Sequence, residues 1–183
     1  MVFPHAIYMN IDHALKIKGW MSEAELMWLA EQADKSTVIV ETGSYLGRST
    51  RALADNTNGV VLAFDPYIGE YKYDNGKVMR CFRDNEYQAF LKNLRDHLDS
   101  RRVIQYRMPL EKSRIPLKPD LIFLDGDHRY GALKQEILLA LELSPRILAG
   151  HDYTHPDWPG VKKAVDEILG PVQLHESIWI KKY

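Results

Sequence analysis

Apolar residues in this chain fall into short continuous runs separated by stretches of helical spacing. Residues 37–40 read TVIV, 60–64 VVLAF, 121–124 LIFL and 147–150 ILAG. Runs this short and rich in branched side chains read as strands buried on both faces. The pattern predicts strands at residues 37–43, 60–65, 103–108, 120–125 and 146–150. Between them, apolar positions recur every three or four residues. Leu26, Met27, Leu29 and Ala30 mark the inner face of a helix at 23–33, which Ser22 and Glu25 open as a capping box, S-x-x-E. Phe90, Leu91, Leu94 and Leu98 mark another at 85–98. Further helices are expected near 11–17 and at 47–55, 130–143 and 161–169, the last stopped by Gly170-Pro171. Residues 66–77 carry no clean period and read as a loop, and residues 116–119, with a proline at each end, punctuate the approach to the fourth strand. The closing VQLHESIWIKKY predicts two strands joined at Glu176-Ser177. No helix separates them, so the final one is expected to run antiparallel.

This alternation specifies an α/β fold: a doubly wound, mostly parallel sheet of seven strands with helices on both faces. The 183 residues read as one domain, with residues 1–20 an N-terminal segment and candidate substrate cap. Composition then removes function classes. A formal net charge of −1 speaks against nucleic-acid binding by bulk electrostatics. No apolar run approaches the ~20 residues of a membrane span, and the N-terminus lacks the basic-then-apolar pattern of a signal peptide. The lone Cys81 excludes an internal disulfide, reads as a packing residue and fits a reducing, cytoplasmic setting. A homo-oligomer stays open.

Ligands of doubly wound sheets sit outside the carboxyl ends of the strands, and here strand after strand ends in a polar residue. The first ends on Glu41, followed by the loop Gly43-Ser44-Tyr45-Leu46-Gly47 and a helix start that includes Ser49. A glycine loop feeding a helix turns unpaired N–H groups toward a ligand. Tyr45 stands where a dinucleotide fingerprint needs its middle glycine, so the spacing suits a smaller ligand with a positive charge near the carboxylate. Asp65 ends the second strand, where an acid can accept both hydroxyls of a ribose; the competing reading is a turn cap before Pro66. The fourth strand runs into Asp125-Gly126-Asp127-His128, two carboxylates and an imidazole suited to general-base chemistry or to a hard cation such as Mg²⁺. In the competing reading Asp127 caps the next helix. The fifth strand ends in His151-Asp152, which sheet adjacency places near Asp125 for a shared metal or one raised pKa. Residues 154–160, with His155 and Trp158, then overhang the crevice as a substrate wall or pack as a rigid connection.

VIVETGSYLGRST resembles the first motif of class I S-adenosylmethionine-dependent methyltransferases, which are Rossmann-like, in the variant with Tyr at the middle position typical of catechol and caffeoyl-CoA type O-methyltransferases. VVLAFDP resembles their second motif. IFLDGDHRYGALKQEI with ILAGHDYTHPDWPGVKKAVDEI is similar to the bacterial methyltransferase family 24, which includes macrolide-sugar O-methyltransferases. The resemblance covers roughly residue 23 to the C-terminus. It implies S-adenosylmethionine as cofactor and a small hydroxylated acceptor, with neither nucleic acid nor membrane as partner. It implies that Glu41 and the loop Gly43, Ser44, Tyr45 and Gly47, with Ser49, hold the methionine portion, and that Asp65 binds the ribose. Asp125, beside the cofactor, and Asp152 match positions that hold a divalent metal in metal-dependent members, and His128 matches a general base. Two positions depart from the pattern. Arg107-Met108-Pro109 replaces an acid next to adenine, leaving Met108 to pack on the ring, and His151 replaces an acid of some metal-using relatives. An imidazole there can still ligate Mn²⁺ or Fe²⁺. The alternatives are a non-catalytic S-adenosylmethionine-binding protein and a nicotinamide-dependent oxidoreductase, against which Tyr45 argues.

Overall fold

The computed structural model describes residues 9–72, 78–110, 115 and 118–183. In chain order the elements are α1 (Asp12–Leu15), α2 (Glu23–Asp34), β1 (Val38–Thr42), α3 (Arg48–Asn56), β2 (Val60–Phe64), β3 (Ile68–Lys72), β4 (Val78–Phe82), α4 (Asp84–Asn93), α5 (Arg95–Asp99), β5 (Val103–Tyr106), β6 (Leu121–Leu124), α6 (Tyr130–Glu142), β7 (Ile147–Gly150), α7 (Pro159–Leu169), β8 (Gln173–His175) and β9 (Ile178–Lys182). Seven strands form the expected sheet in the order β5-β2-β1-β6-β7-β9-β8. The first five pair in parallel, and β9 runs antiparallel to both of its neighbours.

Each strand sends alternate side chains to opposite faces, and both faces are covered. Ile39, Val61, Leu121 and Ile147 face one core with Leu26, Leu29 and Leu53 of α2 and α3. Val40, Leu62, Ile122 and Leu148 face the other with Ile137 of α6 and Val165 of α7. That is why the strands read as unbroken apolar runs. From β1 the chain winds outward to β2 and β5, then returns across to β6 and β7. The crevice outside the carboxyl ends of β1 and β6 is therefore where such a sheet takes ligands. Among the described residues no helix is long and apolar enough to cross a membrane.

Three sequence expectations need correction. Residues 66–77, read as a loop, contain β3, which pairs antiparallel with β4 from Ile68↔Phe82 to Lys72↔Val78. This ribbon stands outside the main sheet, and its paired residues Ile68 and Phe82 are exposed. The single helix expected at 85–98 is two, because Leu94 leaves helical geometry at φ −111°. Its side chain is buried where a Cβ at Gly47 would fall, while Arg51 Nη1 draws off the Asn93 carbonyl at 3.3 Å. The third strand also stops at Tyr106, and Arg107 turns away to lie over the Tyr87 ring at 4.7 Å. Expectations for residues 1–8, 73–77 and Pro116, and for the Cys81 side chain, lie outside the described residues.

The described part of the N-terminal segment is clamped to α3, where Asn56 exchanges two 2.7 Å hydrogen bonds with the Asn10 backbone and Arg48 gathers backbone carbonyls. The Arg48 guanidinium donates to the carbonyls of Leu15 at 3.2 Å, Ile17 at 2.7 Å and Met21 at 3.1 Å. These are carbonyls that the four-residue α1 and its exit loop leave without helical partners. The clamp holds Trp20, 79 % exposed, with its ring 5.3 Å from that of Tyr45.

Candidate active site

The glycine loop between β1 and α3 forms the floor of the crevice. Gly43 takes φ +80°, and a Cβ there would lie 1.9 Å from the Asp125 carbonyl oxygen, so only glycine lets this loop meet the β6–α6 loop. Tyr45 at φ +47°, Tyr67 at φ +50° and Asp152 at φ +62° also adopt the left-handed conformation. All three lie just past the carboxyl ends of sheet strands, and such strain is concentrated at functional sites. Beneath the loop, Glu41 is fully buried. Its Oε2 accepts from the hydroxyls of Ser44, at 2.9 Å, and Thr50. Its Oε1 is buried with no hydrogen-bond partner. Burial pushes the carboxyl up to about 7 against the pull of Ser49, Thr50 and Ser44. A ligand that brings its own positive donor would satisfy Oε1 and ionise the group.

Of the two readings its sequence position left open, Asp65 fills that of the turn cap. Its Oδ2 accepts from the Tyr45 amide at 2.9 Å and its Oδ1 from the Tyr67 amide at 2.7 Å. The carboxylate thereby ties the β1 and β2 loops together. Burial raises its pKa, opposed by those two amides. Asp65→Asn keeps the shape but points an NH₂ at one of the amides. The expected loss is about 1.5–3 kcal/mol, read as a lower melting temperature. Melting that matches the wild type would mean other groups hold the two loops.

Beside the floor stands a cluster of carboxylates and imidazoles. His128 Nε2 lies 2.9 Å from Asp152 Oδ2 and 3.4 Å from Asp125 Oδ1. His151 Nδ1 lies 3.2 Å from Asp152 Oδ1 and 3.8 Å from Asp125 Oδ1. One donor atom each from Asp125, His128 and Asp152 fall within 4.8 Å of one another, a grouping able to hold a metal ion. Burial alone would lower the His128 pKa, but hydrogen bonds and charge from Asp125 and Asp152 push it up to about 9. For His151, burial is likewise outweighed by Asp152, Glu25 and Asp125, which push it up to about 10. Asp152, disfavoured by burial, is held far below the usual carboxylate range by His128 and His151. Trp158 stacks on His128 with ring centres 4.9 Å apart and is 41 % exposed, so it walls the crevice.

The other predicted residues are placed as follows. Asp127 turns aside, accepting from the Arg129 amide at 3.0 Å and from the Arg129 side chain; it serves the entry to α6 and stays out of the cluster. Met108 is exposed just past the end of β5. The residue that sequence reasoning missed is Glu25. It reads as a helix cap, and the capping box is present. Yet it is buried, and its Oε1 also accepts from Ser177 Oγ at 2.6 Å and meets His151 Nε2 at 3.1 Å. The distance of 126 residues between Glu25 and His151 left no local signal of that contact.

Known proteins share this fold. The family model described as a methyltransferase domain, of the family 24 type, matches residues 40–153. The chain belongs to this methyltransferase family. No curated protein sequence matches it. Among solved structures it is similar to cofactor-bound Rv0187 from MTB, at 14 % identity and TM-score 0.65 over 93 % of this chain and 84 % of that one. It is also similar to the O-methyltransferase from Bacillus cereus in complex with SAH, at 15 % identity and TM-score 0.63 over 96 % and 91 %. A third is CalS11, a TDP-rhamnose 3'-O-methyltransferase of calicheamicin biosynthesis, at 18 % identity and TM-score 0.56 over 86 % and 77 %.

Proposed function

We propose that the chain transfers the methyl group of S-adenosylmethionine to a hydroxyl oxygen of a small molecule. The observation that carries this reading is Glu41 Oε1, a buried carboxylate oxygen without a donor, under a glycine loop and one strand away from the Asp125–His128–Asp152 cluster. The ammonium group at the methionine end of the cofactor brings the missing donor and the missing charge. Gly43, Ser44, Tyr45, Gly47 and Ser49 line that end, Asp65 takes the ribose hydroxyls, and Met108 offers an exposed apolar surface for adenine. Two similar structures bear O-methyltransferase names, which supports oxygen as the atom methylated.

Bound S-adenosylmethionine supplies an already activated methyl group. What remains for the chain is alignment and removal of one proton. His128 takes that proton, and it must first give up the one that Asp125 and Asp152 stabilise on it. Trp158 fixes the imidazole plane and presents its exposed face to the acceptor. Asp125 and Asp152 would hold a divalent cation, whose chemistry is to orient the acceptor hydroxyl and lower its pKa.

The test is incubation with methyl-labelled S-adenosylmethionine and hydroxylated acceptors, nucleotide sugars, phenols and hydroxy acids, read as labelled product and S-adenosylhomocysteine. Binding of S-adenosylhomocysteine with no transfer to any acceptor would favour the non-catalytic alternative. Stabilisation by NAD(H) and not by S-adenosylhomocysteine would overturn the reading; a ligand at 100 times its Kd stabilises by about 2.7 kcal/mol.

Glu41→Gln separates binding from stability by sign. Without the charge, cofactor affinity is expected to fall about 10- to 100-fold, the worth of a charged hydrogen bond of about 1.5–3 kcal/mol. The folded carboxyl titrates near 7 and the unfolded one near 4.5. The unfolded chain therefore loses this proton first, and the wild type loses stability as pH rises through that window. The variant has no such proton to lose. Its melting temperature relative to wild type should be higher at pH 8 than at pH 5. A difference that does not change with pH would show that Glu41 is ionised at little cost.

A further inference from the structure

We propose that His151 is a nitrogen ligand in the metal site, positioned from behind by Glu25, and that the site in consequence prefers a late first-row divalent ion such as Co²⁺, Ni²⁺ or Zn²⁺ over Mg²⁺. The inference rests on the metal reading of the Asp125–Asp152 pair. Donors that share one small cation at about 2.1 Å and at right angles stand about 3 Å apart. The separations found are 2.9 Å for His128–Asp152, 3.2 Å for His151–Asp152, 3.4 Å for His128–Asp125 and 3.8 Å for His151–Asp125. His151 Nδ1 thus faces one oxygen of each carboxylate of the Asp125–Asp152 pair at ligand spacing, with Glu25 on its other ring nitrogen.

The second imidazole is oriented by a group that needs no ion to hold it. Glu25 accepts from the Ser22 amide at 2.9 Å, the Ser177 amide at 3.2 Å and the Ser177 hydroxyl at 2.6 Å. It is buried and fixed to both α2 and the β8–β9 turn. From there its Oε1 faces His151 Nε2 at 3.1 Å. A carboxylate on one ring nitrogen keeps the proton there and leaves the other nitrogen's lone pair free; metal-ligating histidines are held in this way. The free nitrogen, Nδ1, is the one that faces Asp125 and Asp152. Magnesium is held by oxygen donors, whereas imidazole suits zinc, copper, iron and nickel. Histidine in place of a carboxylate at this position therefore moves the site away from magnesium.

The experiment uses the full chain stripped with chelator and titrated calorimetrically with CoCl₂ and with MgCl₂, with the visible absorption of bound Co²⁺ as a second readout. Wild type is expected to bind Co²⁺ at least about 100-fold more tightly than Mg²⁺. His151→Glu should bind Mg²⁺ better and Co²⁺ worse, and shift the Co²⁺ absorption. His151→Gln, which adds no buried charge, should lose the Co²⁺ preference even if the first variant does not fold. Glu25→Gln should weaken Co²⁺ about 10- to 100-fold. A Co²⁺/Mg²⁺ ratio unchanged in His151→Gln overturns the proposal, as does a wild type that binds neither ion. S-adenosylhomocysteine titrated into the same samples separates the two failures: it still binds if only the metal inference is wrong, and fails to bind if the methyltransferase reading is wrong.

Discussion

His128→Ala is expected to leave S-adenosylhomocysteine affinity unchanged while lowering turnover about 10²- to 10⁴-fold, the usual worth of a positioned base. The expectation follows from what His128 touches. Its partners are Asp125, Asp152 and the Trp158 ring. None of its hydrogen bonds reaches Ser44, Tyr45, Ser49 or Asp65, which shape the glycine loop and its floor. A loss confined to kcat, with KM for the cofactor unchanged, marks a group whose contribution is made only in the transition state. Removing the imidazole also leaves Asp125 and Asp152 facing each other with less compensation, so some loss of stability at neutral pH is expected alongside. Loss of cofactor binding would instead move His128 out of the proton-transfer role and into the frame of the cofactor site.

Gly43→Ala is expected to cost more than about 4 kcal/mol, beyond the range of ordinary substitutions. That is a large fraction of the ~5–15 kcal/mol that holds a domain folded. The added Cβ would lie 1.9 Å from Asp125 O, 2.4 Å from Asp125 C and 2.8 Å from Gly126 Cα. These are backbone atoms, so no side chain can swing aside to relieve the clash. Around them, Gly43 N donates to the Phe64 carbonyl at 2.8 Å and Asp125 N to the Thr42 carbonyl at 3.1 Å. Making room would part β1 from β6 at the carboxyl end, where the site lies, and the φ of +80° adds its own penalty for alanine. Gly131→Ala is the control. In the first turn of α6 its Cβ meets nothing within 4 Å, and a gain of up to about 1 kcal/mol is expected. Urea denaturation of both variants checks the pair; near-equal effects would show that the two loops are less tightly packed than their geometry requires.

Much of the frame was legible because burial writes itself into local pattern. Strands β1, β2, β6 and β7 lie in the middle of a sheet covered on both faces, so Val38–Thr42 and Leu121–Leu124 had to be apolar throughout apart from the ends that face the crevice. The start of α2 was legible because a cap satisfies backbone groups only a few residues away. The β3–β4 ribbon was not, since it is a separate two-stranded sheet outside the doubly covered one. The break at Leu94 was hidden for a related reason: its cause is a space above Gly47, which lies in another element.

The same division runs through the site. By itself the sequence determined which strand ends carry polar residues: Glu41, Asp65, Asp125 and the pair His151-Asp152. A strand's length and the glycine that follows it are local properties, so these positions could be read without knowing the order of the strands. What each group touches there depends on contacts between elements. Asp65 accepts an amide from each of two loops, one on each oxygen. Asp127 closes on its neighbour Arg129 and leaves the cluster. Glu25, a helix cap by its sequence, becomes the buried support of His151 from 126 residues away. Periodicity records which side of an element is buried, but a partnership between elements depends on sheet order and register, which place β7 beside β6 and the start of α2 over its end.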